Sequence, residues 1–309
     1  MRVAVVDLGT NTFNLLIADV SGGDFAVVYA GREVVKLGEK SINENRISEA
    51  AFERGLGAFA IHANTIKEHN VSRVKAFATS AIREAKNGKE FIQRVKEITG
   101  LEVEVIDGER EAELIYLGNR QAVDLNAEPH LIMDIGGGST EFIIADKETI
   151  YWKQSFKLGV ARLLEMFKPG DPITRETIEK VNAYLAAELR PLLQALEKHP
   201  VNCLVGSSGG FESVVDMIGA FFAKEQVTAS RRCYSVALED YFAVSKNTVH
   251  STMAQREQMK GLIPMRRDMI VLTYLLIDHI VLACNISQVK VSTYALKEGA
   301  LAEFIVNNC

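Results

Sequence analysis

The sequence predicts an α/β fold made of two domains, and three observations lead to this prediction. Short apolar strands alternate along the chain with segments in which apolar residues recur at helical spacing. A stretch near the N-terminus recurs in the second half of the chain. The length of 309 residues provides for two domains of roughly 150 residues, each able to bury a core. Alternating strands and helices are typical of a largely parallel sheet.

The N-terminal segment predicts three strands. Residues 3–6 are a short β-branched run that ends at Asp7, which is typical of a buried strand that enters a turn. Residues 13–20 and 25–29 read as two further strands, joined by a hairpin turn of sequence Ser-Gly-Gly-Asp at residues 21–24.

The next elements alternate between helix and strand. Residues 48–69 carry apolar side chains at helical spacing, and residues 74–78 form an apolar strand. A helix is predicted over Gly88–Thr99 because Gly100 provides a typical helix end. Residues 101–106 are predicted to be another strand.

The recurring stretch indicates an internal duplication. DLGTNTFNLLIAD at residues 7–19 aligns without gaps on DIGGGSTEFIIAD at residues 134–146, with five of thirteen positions identical. One interpretation is two unrelated hairpins. The other is a duplicated domain whose equivalent turns face each other across a cleft. On the second interpretation the boundary lies near residues 124–129, with domain I at 1–124 and domain II at 125–309.

Both recurring turns combine acidic, glycine and hydroxyl residues. Glycines lack Cβ, so their backbone N–H groups can approach an anion closely. Asp7 and Asp134 stand at strand ends, where each could hold a divalent cation. Such turns suit a polyphosphate chain with Mg²⁺, whereas a lone glycine-rich turn is often only a tight turn. The candidate phosphate-binding residues are Thr10, Asn11 and Thr12 in the first turn and Gly136, Gly137, Gly138, Ser139 and Thr140 in the second.

A second candidate is the segment ATSAIR at residues 78–83. Its arginine, Arg83, can bind phosphate oxygens through two N–H groups at once. The alternative is an arginine near a helix start that faces solvent.

A third candidate is the acidic segment at residues 107–112, which opens a helix. Acidic residues in a first helical turn ordinarily interact with the helix dipole. One of these carboxylates lies shortly before the inferred domain boundary, where it could activate a water molecule.

A fourth candidate is the segment at residues 204–210, which reads as a strand, a Gly/Ser turn and a helix from Phe211. Ser207, Ser208 and Gly209 could bind a phosphate or nucleoside at the helix start. The alternative is a simple connection between two elements.

The charge balance argues against a general nucleic-acid-binding protein. There are 35 basic and 40 acidic residues, a net charge of −5, whereas such a protein usually has a basic excess. Locally, residues 231–267 hold seven basic and three acidic residues. This segment is either a solvated basic face or a surface that guides a long polyanion.

The chain shows no sign of a membrane or oxidising environment. The start lacks the apolar run of a signal peptide, and the apolar stretch at residues 269–284 is too short and too polar to span a bilayer. The four cysteines form no CxxC pair. We therefore expect a cytoplasmic protein without membrane partners.

Five motifs in order resemble the exopolyphosphatase / guanosine pentaphosphate phosphohydrolase family, and the similarity covers essentially the whole chain. The closing segment VSTYALKEGALAE is similar to the end of that family's shared region. The motifs are VVDLGTNTFNLLIADV, ATSAIREAKN, GEREAELIYLG, LIMDIGGGSTEF and VGSSGG. The resemblance implies two actin-like (ribonuclease H-like) α/β domains flanking an interdomain cleft, with the last helix able to pack back on domain I.

The resemblance also implies roles for individual residues. Glu111 matches the catalytic carboxylate that orients or deprotonates the attacking water. Asp134 matches an acidic residue implicated in catalysis and in metal binding, and Asp7 belongs to the first phosphate loop. Arg83 matches an arginine expected to grip substrate phosphates, with Asn87 nearby. The cofactor implied is Mg²⁺ or another divalent cation.

The resemblance leaves the substrate open between two molecules. The function it implies is release of terminal orthophosphate from inorganic polyphosphate, and the alternative is hydrolysis of guanosine pentaphosphate. A rival of another class is an actin-like ATP-binding sensor or kinase, although no site for an acceptor substrate is found. The apolar C-terminal helix is compatible with a homodimer.

Two departures from the family pattern stand out. Family members often continue into helical C-terminal domains, including an HD-type domain, whereas this sequence ends at Cys309. We therefore expect the short two-domain form. The family usually carries glycine shortly after an R-x-D segment, and here Thr273 stands in its place, so we expect a different local loop geometry.

Overall fold

The computed structural model of the protein describes residues 1–228 and 230–308. Contacts between residues divide the chain into two compact units. Unit 1 comprises Met1–Gly118, Gly136–Gly138 and Ala295–Cys309, and unit 2 comprises Asn119–Ile135 and Ser139–Tyr294. Cys309 itself lies outside the described residues.

The elements follow the predicted alternation of strands and helices. The strands are β1 (Arg2–Leu8), β2 (Thr12–Ser21), β3 (Asp24–Val34), β4 (Arg73–Ala78), β5 (Glu104–Val105), β6 (His130–Ile135), β7 (Thr140–Ala145), β8 (Ile150–Phe156), β9 (Cys203–Ser207), β10 (Cys233–Val236) and β11 (Gln288–Ser292). The α-helices are α1 (Glu49–Glu68), α2 (Ser80–Glu84), α3 (Gly88–Thr99), α4 (Gly108–Ala122), α5 (Val160–Phe167), α6 (Arg175–Glu188), α7 (Arg190–Lys198), α8 (Ser208–Phe222), α9 (Leu238–Val249), α10 (Met253–Gln258), α11 (Ile270–Ala283) and α12 (Leu296–Asn308). Short 3₁₀ helices span Ile42–Glu44 and Pro264–Arg266.

The two sheets share one strand order. Unit 1 has the order β3-β2-β1-β4-β5, and unit 2 has β8-β7-β6-β9-β11 with β10 added at the edge. In each unit the first three strands pair antiparallel and the next two pair parallel, while the edge strand β10 pairs antiparallel with β11. The predicted α/β class is therefore confirmed, and the two units repeat one strand order. The expected largely parallel sheet is wrong in detail: both sheets are mixed, because short turns can join only antiparallel strands.

The hairpin between β2 and β3 follows directly from its turn residues. Ser21 pairs with Asp24, which leaves Gly22 and Gly23 as a two-residue turn. Both glycines have positive φ, +59° and +84°. A turn with two positive φ values matches the twist of the flanking strands and strongly favours glycine at both positions. The predicted hairpin is therefore confirmed.

The core of unit 1 lies between the sheet and its helices. Strand β1 is apolar and almost wholly buried, while α12 packs on β1 and β2 and α1 packs on β2 and β3. A strand buried on both faces reads as a continuous apolar run rather than an alternating one. Helix α3 ends at Gly100 in the left-handed region, with φ +72°, as the sequence predicts.

The strand predicted over residues 101–106 is shorter in the structure. Only Glu104 and Val105 pair, with Phe77 and Ala78 of β4. Leu101 and Val103 instead pack their side chains against the core of unit 1. The apolar residues at 101–106 are therefore explained by packing against the core as well as by pairing in the sheet.

Helix α11 lies inside the core of unit 2. Ten of its fourteen residues are buried, and it contacts α9, α6 and α5. Its apolar character is therefore explained by this core, so it lends no support to the homodimer, which stays a prediction.

None of the helices in residues 1–228 and 230–308 has both the length and the apolar character needed to cross a membrane.

Thr273 lies in α11 rather than in a loop, so the expected change of loop geometry is wrong. Its side chain is 3% exposed, and its hydroxyl donates to the carbonyl oxygen of Met269 at 3.1 Å. A Cβ placed on Gly210 would lie 3.1 Å from Thr273 Cγ2. The threonine methyl therefore packs beside Gly210 of α8.

Candidate active site

The first recurring turn is held rigidly by backbone hydrogen bonds. Leu37 donates to the carbonyl oxygen of Thr10 at 2.7 Å, and Val35 and Lys36 donate to that of Asn11 at 2.9 and 3.1 Å. Thr10 is 4% exposed. The segment after β3 thus fixes the turn that carries two of the predicted phosphate-binding side chains.

Asp7 lies near the end of β1 and is held by a neighbour on β2. Asn14 pairs with Asp7 in the sheet register, and its amide donates to Asp7 Oδ2 at 3.1 Å. The same amide lies 3.4 Å from the Thr12 hydroxyl. The carboxylate predicted to hold a metal is therefore oriented by an amide across the strand pair.

Glu111 is a buried carboxylate in the first turn of α4. Asp107 caps this turn, since the Arg110 N–H donates to its Oδ1 at 2.8 Å. Glu111 is 7% exposed, and Arg83 Nη1 donates to its Oε2 at 2.7 Å. A charge-assisted bond of this length holds the carboxylate in one orientation.

Arg83 therefore contacts the candidate base directly. Its Nη1 also donates to the carbonyl oxygen of Ile106 at 3.0 Å, and its side chain is 16% exposed. The alternative, an arginine near a helix start that faces solvent, is therefore wrong, because the side chain is mostly buried and bonded to Glu111. Asn87, placed nearby by the resemblance, bonds both backbone groups of Ile47 at 2.9 and 3.0 Å and so connects two segments of unit 1.

Helix α12 supports the helix that carries Glu111. A Cβ on Gly299 would lie far closer to the Leu114 carbonyl oxygen than the 3.0 Å that real Cβ atoms keep, and one on Gly118 would meet the Ala295 carbonyl oxygen in the same way. Arg110 of α4 also pairs with a carboxylate of α12. The two helices thus cross with their backbones in contact, which only glycine permits.

The glycines of the second recurring turn pack within unit 1. A Cβ on Gly137 would lie 2.6 Å from Asn11 Nδ2, and one on Gly138 would lie 2.7 Å from Thr10 Oγ1 and 2.5 Å from Ser80 Oγ. The sequence suggests that these glycines permit close approach of an anion. The structure adds a steric reason, because polar side chains of unit 1 occupy the space where a Cβ would lie.

In unit 2, Asp134 is held by Ser207. Asp134 lies in β6 and is 7% exposed, and the fully buried Ser207 donates its hydroxyl to Asp134 Oδ2 at 2.6 Å. Ser207 is therefore a neighbour that orients Asp134. Its predicted role as a phosphate ligand stays a prediction.

The predicted Gly/Ser turn is the beginning of α8, so the expected helix start at Phe211 is wrong by three residues. Ser208 starts the helix with a positive φ of +67° and donates its hydroxyl to the carbonyl oxygen of Ile135 at 2.8 Å. Arg266 covers Gly209 closely enough to leave no space for a Cβ. Tertiary bonds to Ile135 and packing of Arg266 thus stabilise a helix start whose first turn contains two glycines, which are poor helix formers.

Ser139 and Thr140 are buried at the start of β7. Ser139 is 3% exposed and Thr140 is fully buried. The Thr140 hydroxyl donates to the carbonyl oxygen of Leu158 at 3.1 Å. Gly136 follows the last residue of β6 and is half-buried.

Glu141 is a candidate that the sequence analysis missed. It stands directly opposite Asp134 in the sheet register, is 1% exposed and accepts a hydrogen bond from Ser155 at 2.7 Å. The internal repeat contained a signal for it, since Glu141 aligns with Asn14, the residue that bonds Asp7. Two buried carboxylates on facing strand positions are unusual outside functional sites.

The donor set is compatible with Mg²⁺ but forms no closed metal cage. Across residues 1–228 and 230–308, no group of three or more His, Cys, Asp or Glu side chains is arranged to hold a metal ion. Mg²⁺ needs no such cage, because it commonly binds one or two carboxylates together with water and substrate phosphates. Asp134 and Glu141 offer hard oxygen ligands of this kind in unit 2, and Asp7 offers one in unit 1.

The basic segment at residues 231–267 is not one solvated face. Arg256 is 5% exposed and pairs with Asp171 at 3.2 Å. Arg266 donates to Ser213 at 2.8 Å, and Arg231 has an acidic partner. Several of its arginines therefore form ion pairs or hydrogen bonds inside unit 2. Guidance of a long polyanion by this segment stays a prediction.

Comparison with known proteins identifies the family of this chain. The model of the Ppx/GppA phosphatase family matches residues 16–307. The chain is 28% identical over 303 residues to exopolyphosphatase 1 of Mycobacterium bovis and of Mycobacterium tuberculosis, covering 97% of this chain and 87% of each relative.

Solved structures show the same similarity in three dimensions. An exopolyphosphatase from Cytophaga hutchinsonii superimposes with a TM-score of 0.97 at 36% identity, covering 99% of this chain and 98% of that one. The PPX-GPPA enzyme of Aquifex aeolicus superimposes with a TM-score of 0.80 at 26% identity, covering 98% and 99%. The family match and these similarities extend over nearly the whole chain, and the protein belongs to the Ppx/GppA phosphatase family.

Proposed function

We propose that the protein is an exopolyphosphatase-like phosphohydrolase that releases terminal orthophosphate from inorganic polyphosphate. The observation that carries the proposal is the buried Glu111 carboxylate, bonded to Arg83 in the unit that also holds the glycine segment 136–138. Relatives named exopolyphosphatase support the choice of substrate. A phosphoanhydride needs an activated water and neutralisation of charge, and these residue types supply both.

In the proposed reaction Glu111 takes the proton from the attacking water. The water oxygen forms a bond to the terminal phosphorus while the bridging phosphoanhydride bond breaks. Arg83 keeps the Glu111 carboxylate oriented. The backbone N–H groups of residues 136–138 and the side chains of Thr10 and Asn11 bind phosphate oxygens, where the charge of the transition state is spread.

A divalent cation completes the proposed site. Asp7 is the residue of unit 1 that we assign to holding it, and Asp134 and Glu141 are the candidates in unit 2. When bound, it would neutralise charge on the phosphates. Ser207 and Asn14 orient Asp134 and Asp7 through the bonds described above, which reduces the reorganisation needed on binding.

One assay tests this proposal against its rivals. Phosphate release is measured with long polyphosphate, tripolyphosphate, guanosine pentaphosphate and ATP, each with Mg²⁺ and with excess chelator. We expect release from polyphosphate that depends on the metal. Release from guanosine pentaphosphate alone would instead support the alternative substrate, and turnover of ATP alone would contradict both.

Replacing Arg83 by alanine is expected to lower kcat as well as to raise KM. The sequence alone suggests mainly a binding role, but loss of the bond to Glu111 also frees the candidate base. We expect kcat/KM to fall by about 10²-fold, as for the removal of one donor that acts in a transition state. Steady-state kinetics with polyphosphate measure both parameters.

The matched control for this variant is Arg94→Ala. Arg94 lies in α3 and forms an exposed pair with Glu97, which contributes little to stability. Its kinetics should equal those of the wild type. A rise in KM with unchanged kcat in Arg83→Ala would show that Arg83 acts on the substrate alone.

Three expectations from the sequence remain proposals. These are a boundary between domains near residues 124–129, a cytoplasmic location and binding of the phosphate chain between the two recurring turns. The shared strand order of the two units supports the duplication on which the first and third depend.

A further inference from the structure

Ser80 is a buried residue of unit 1 whose hydroxyl has no hydrogen-bond partner among the described residues. It follows β4, starts α2 and is 2% exposed. The neighbouring Thr79 differs, because its hydroxyl lies 3.4 Å from the carbonyl oxygen of Leu8. A buried hydroxyl without a partner is destabilising, and most such groups in folded proteins are bonded.

The Ser80 hydroxyl lies beside the glycine segment of unit 1. A Cβ on Gly138 would lie 2.5 Å from Ser80 Oγ and 2.7 Å from Thr10 Oγ1. Both oxygens are therefore within 2.7 Å of one point next to the Gly138 backbone. Two buried hydroxyls thus lie close against the Gly138 backbone inside unit 1.

We propose that the Ser80 hydroxyl donates a hydrogen bond to a phosphoryl oxygen of the bound substrate. This inference deepens the proposed function and rests on it. A phosphoryl oxygen is a strong acceptor, and a bond to a charged acceptor is stronger than one between neutral groups. The Ser80 hydroxyl, which has no partner among the described residues, gains one on binding, and this favours a phosphate-bearing ligand.

The position of Ser80 also gives it contacts that differ from those of Thr79 and Arg83. The Thr79 hydroxyl is directed to the end of β1 and the Arg83 guanidinium to Glu111. Ser80 lies between them in the sequence and faces the glycine segment. The motif at residues 78–83 therefore supplies a structural bond, a substrate contact and support of the base, in that order.

The test is the variant Ser80→Ala, measured for both ligand binding and stability. Binding of tripolyphosphate is followed by calorimetry in the Glu111→Gln background, where hydrolysis is slow. We expect about 10-fold weaker binding, the size of effect that follows from one hydrogen bond to a charged group. In active enzyme, KM for polyphosphate should rise by a similar factor. The unfolding midpoint without ligand should stay unchanged or rise, because the variant removes an unsatisfied group.

The matched control is Ser251→Ala in unit 2. Ser251 is 3% exposed, and its hydroxyl donates to the carbonyl oxygen of Thr248 at 2.6 Å. This variant should lower the unfolding midpoint by roughly 2–4 °C and leave tripolyphosphate binding unchanged.

Two results would overturn the inference. One is tripolyphosphate binding in Ser80→Ala equal to that of its parent. The other is a fall in midpoint as large as in Ser251→Ala, which would show that the Ser80 hydroxyl has a partner within the protein. Failure of the proposed function is a separate result: wild-type protein would then release no phosphate, whereas the effect of Ser80 on binding would still be measurable.

Discussion

Replacing Glu111 by glutamine is expected to lower the rate of phosphate release by about 10²–10⁴-fold, the usual contribution of a positioned general base. Glutamine has the same shape, and its carbonyl oxygen can still accept the bond from Arg83. It cannot take a proton from water. The unfolding transition should therefore stay close to that of the wild type while kcat falls, and the two are measured by denaturant titration and by phosphate release.

The control for this prediction is Glu109→Gln in the same helical turn. Glu109 is exposed, so its substitution removes the same charge from the start of α4 without touching the buried carboxylate. It should retain wild-type turnover. Equal losses in both variants would point to a general charge effect at the helix start, and wild-type turnover in Glu111→Gln would remove Glu111 from the mechanism.

Replacing Gly299 by alanine is expected to destabilise the protein strongly and to lower activity as well. The added methyl group would collide with the backbone of α4 at Leu114, and backbone cannot move aside as a flexible side chain can. Overpacking of this kind costs about 1–3 kcal/mol. Because α4 also carries Glu111, a shift of this helix should misplace the candidate base. Unfolding curves and kcat measure the two effects.

Gly57 provides the matched control. It lies within α1, and a Cβ built there meets no atom within 4 Å. Alanine at this position should stabilise the helix by about 0.5–1 kcal/mol and leave kcat unchanged. If Gly299→Ala gave the same gain, the close crossing of α4 and α12 would not exist in solution.

Much of the fold could be predicted from local sequence. The Gly22-Gly23 turn, the end of α3 at Gly100 and the buried run of β1 each depend on a few neighbouring residues. Turn chemistry and apolar periodicity act over this range. The prediction was wrong where tertiary contacts overrode local preference, as at the start of α8 and at Thr273.

The candidate site was predictable only in part. The internal repeat indicated Asp7 and Asp134, and the family resemblance singled out Arg83 and Glu111. The hydrogen-bond partner of each of these residues could not be predicted from the sequence. Glu141 was missed because a glutamate inside a strand gives no sign of what lies opposite it until the sheet register is known.

By itself, the sequence determined the α/β class, the family and the set of residue types that can handle a phosphoanhydride, and it contained the repeat that suggests a duplication. Only the tertiary structure decided which of those residues bond to each other. Arg83 meets Glu111 across 28 residues, Ser207 meets Asp134 across 73, and Arg110 of α4 meets Glu303 of α12 across 193. Local preferences carry no information over such separations, because these bonds form only once the sheets and helices have packed and excluded water.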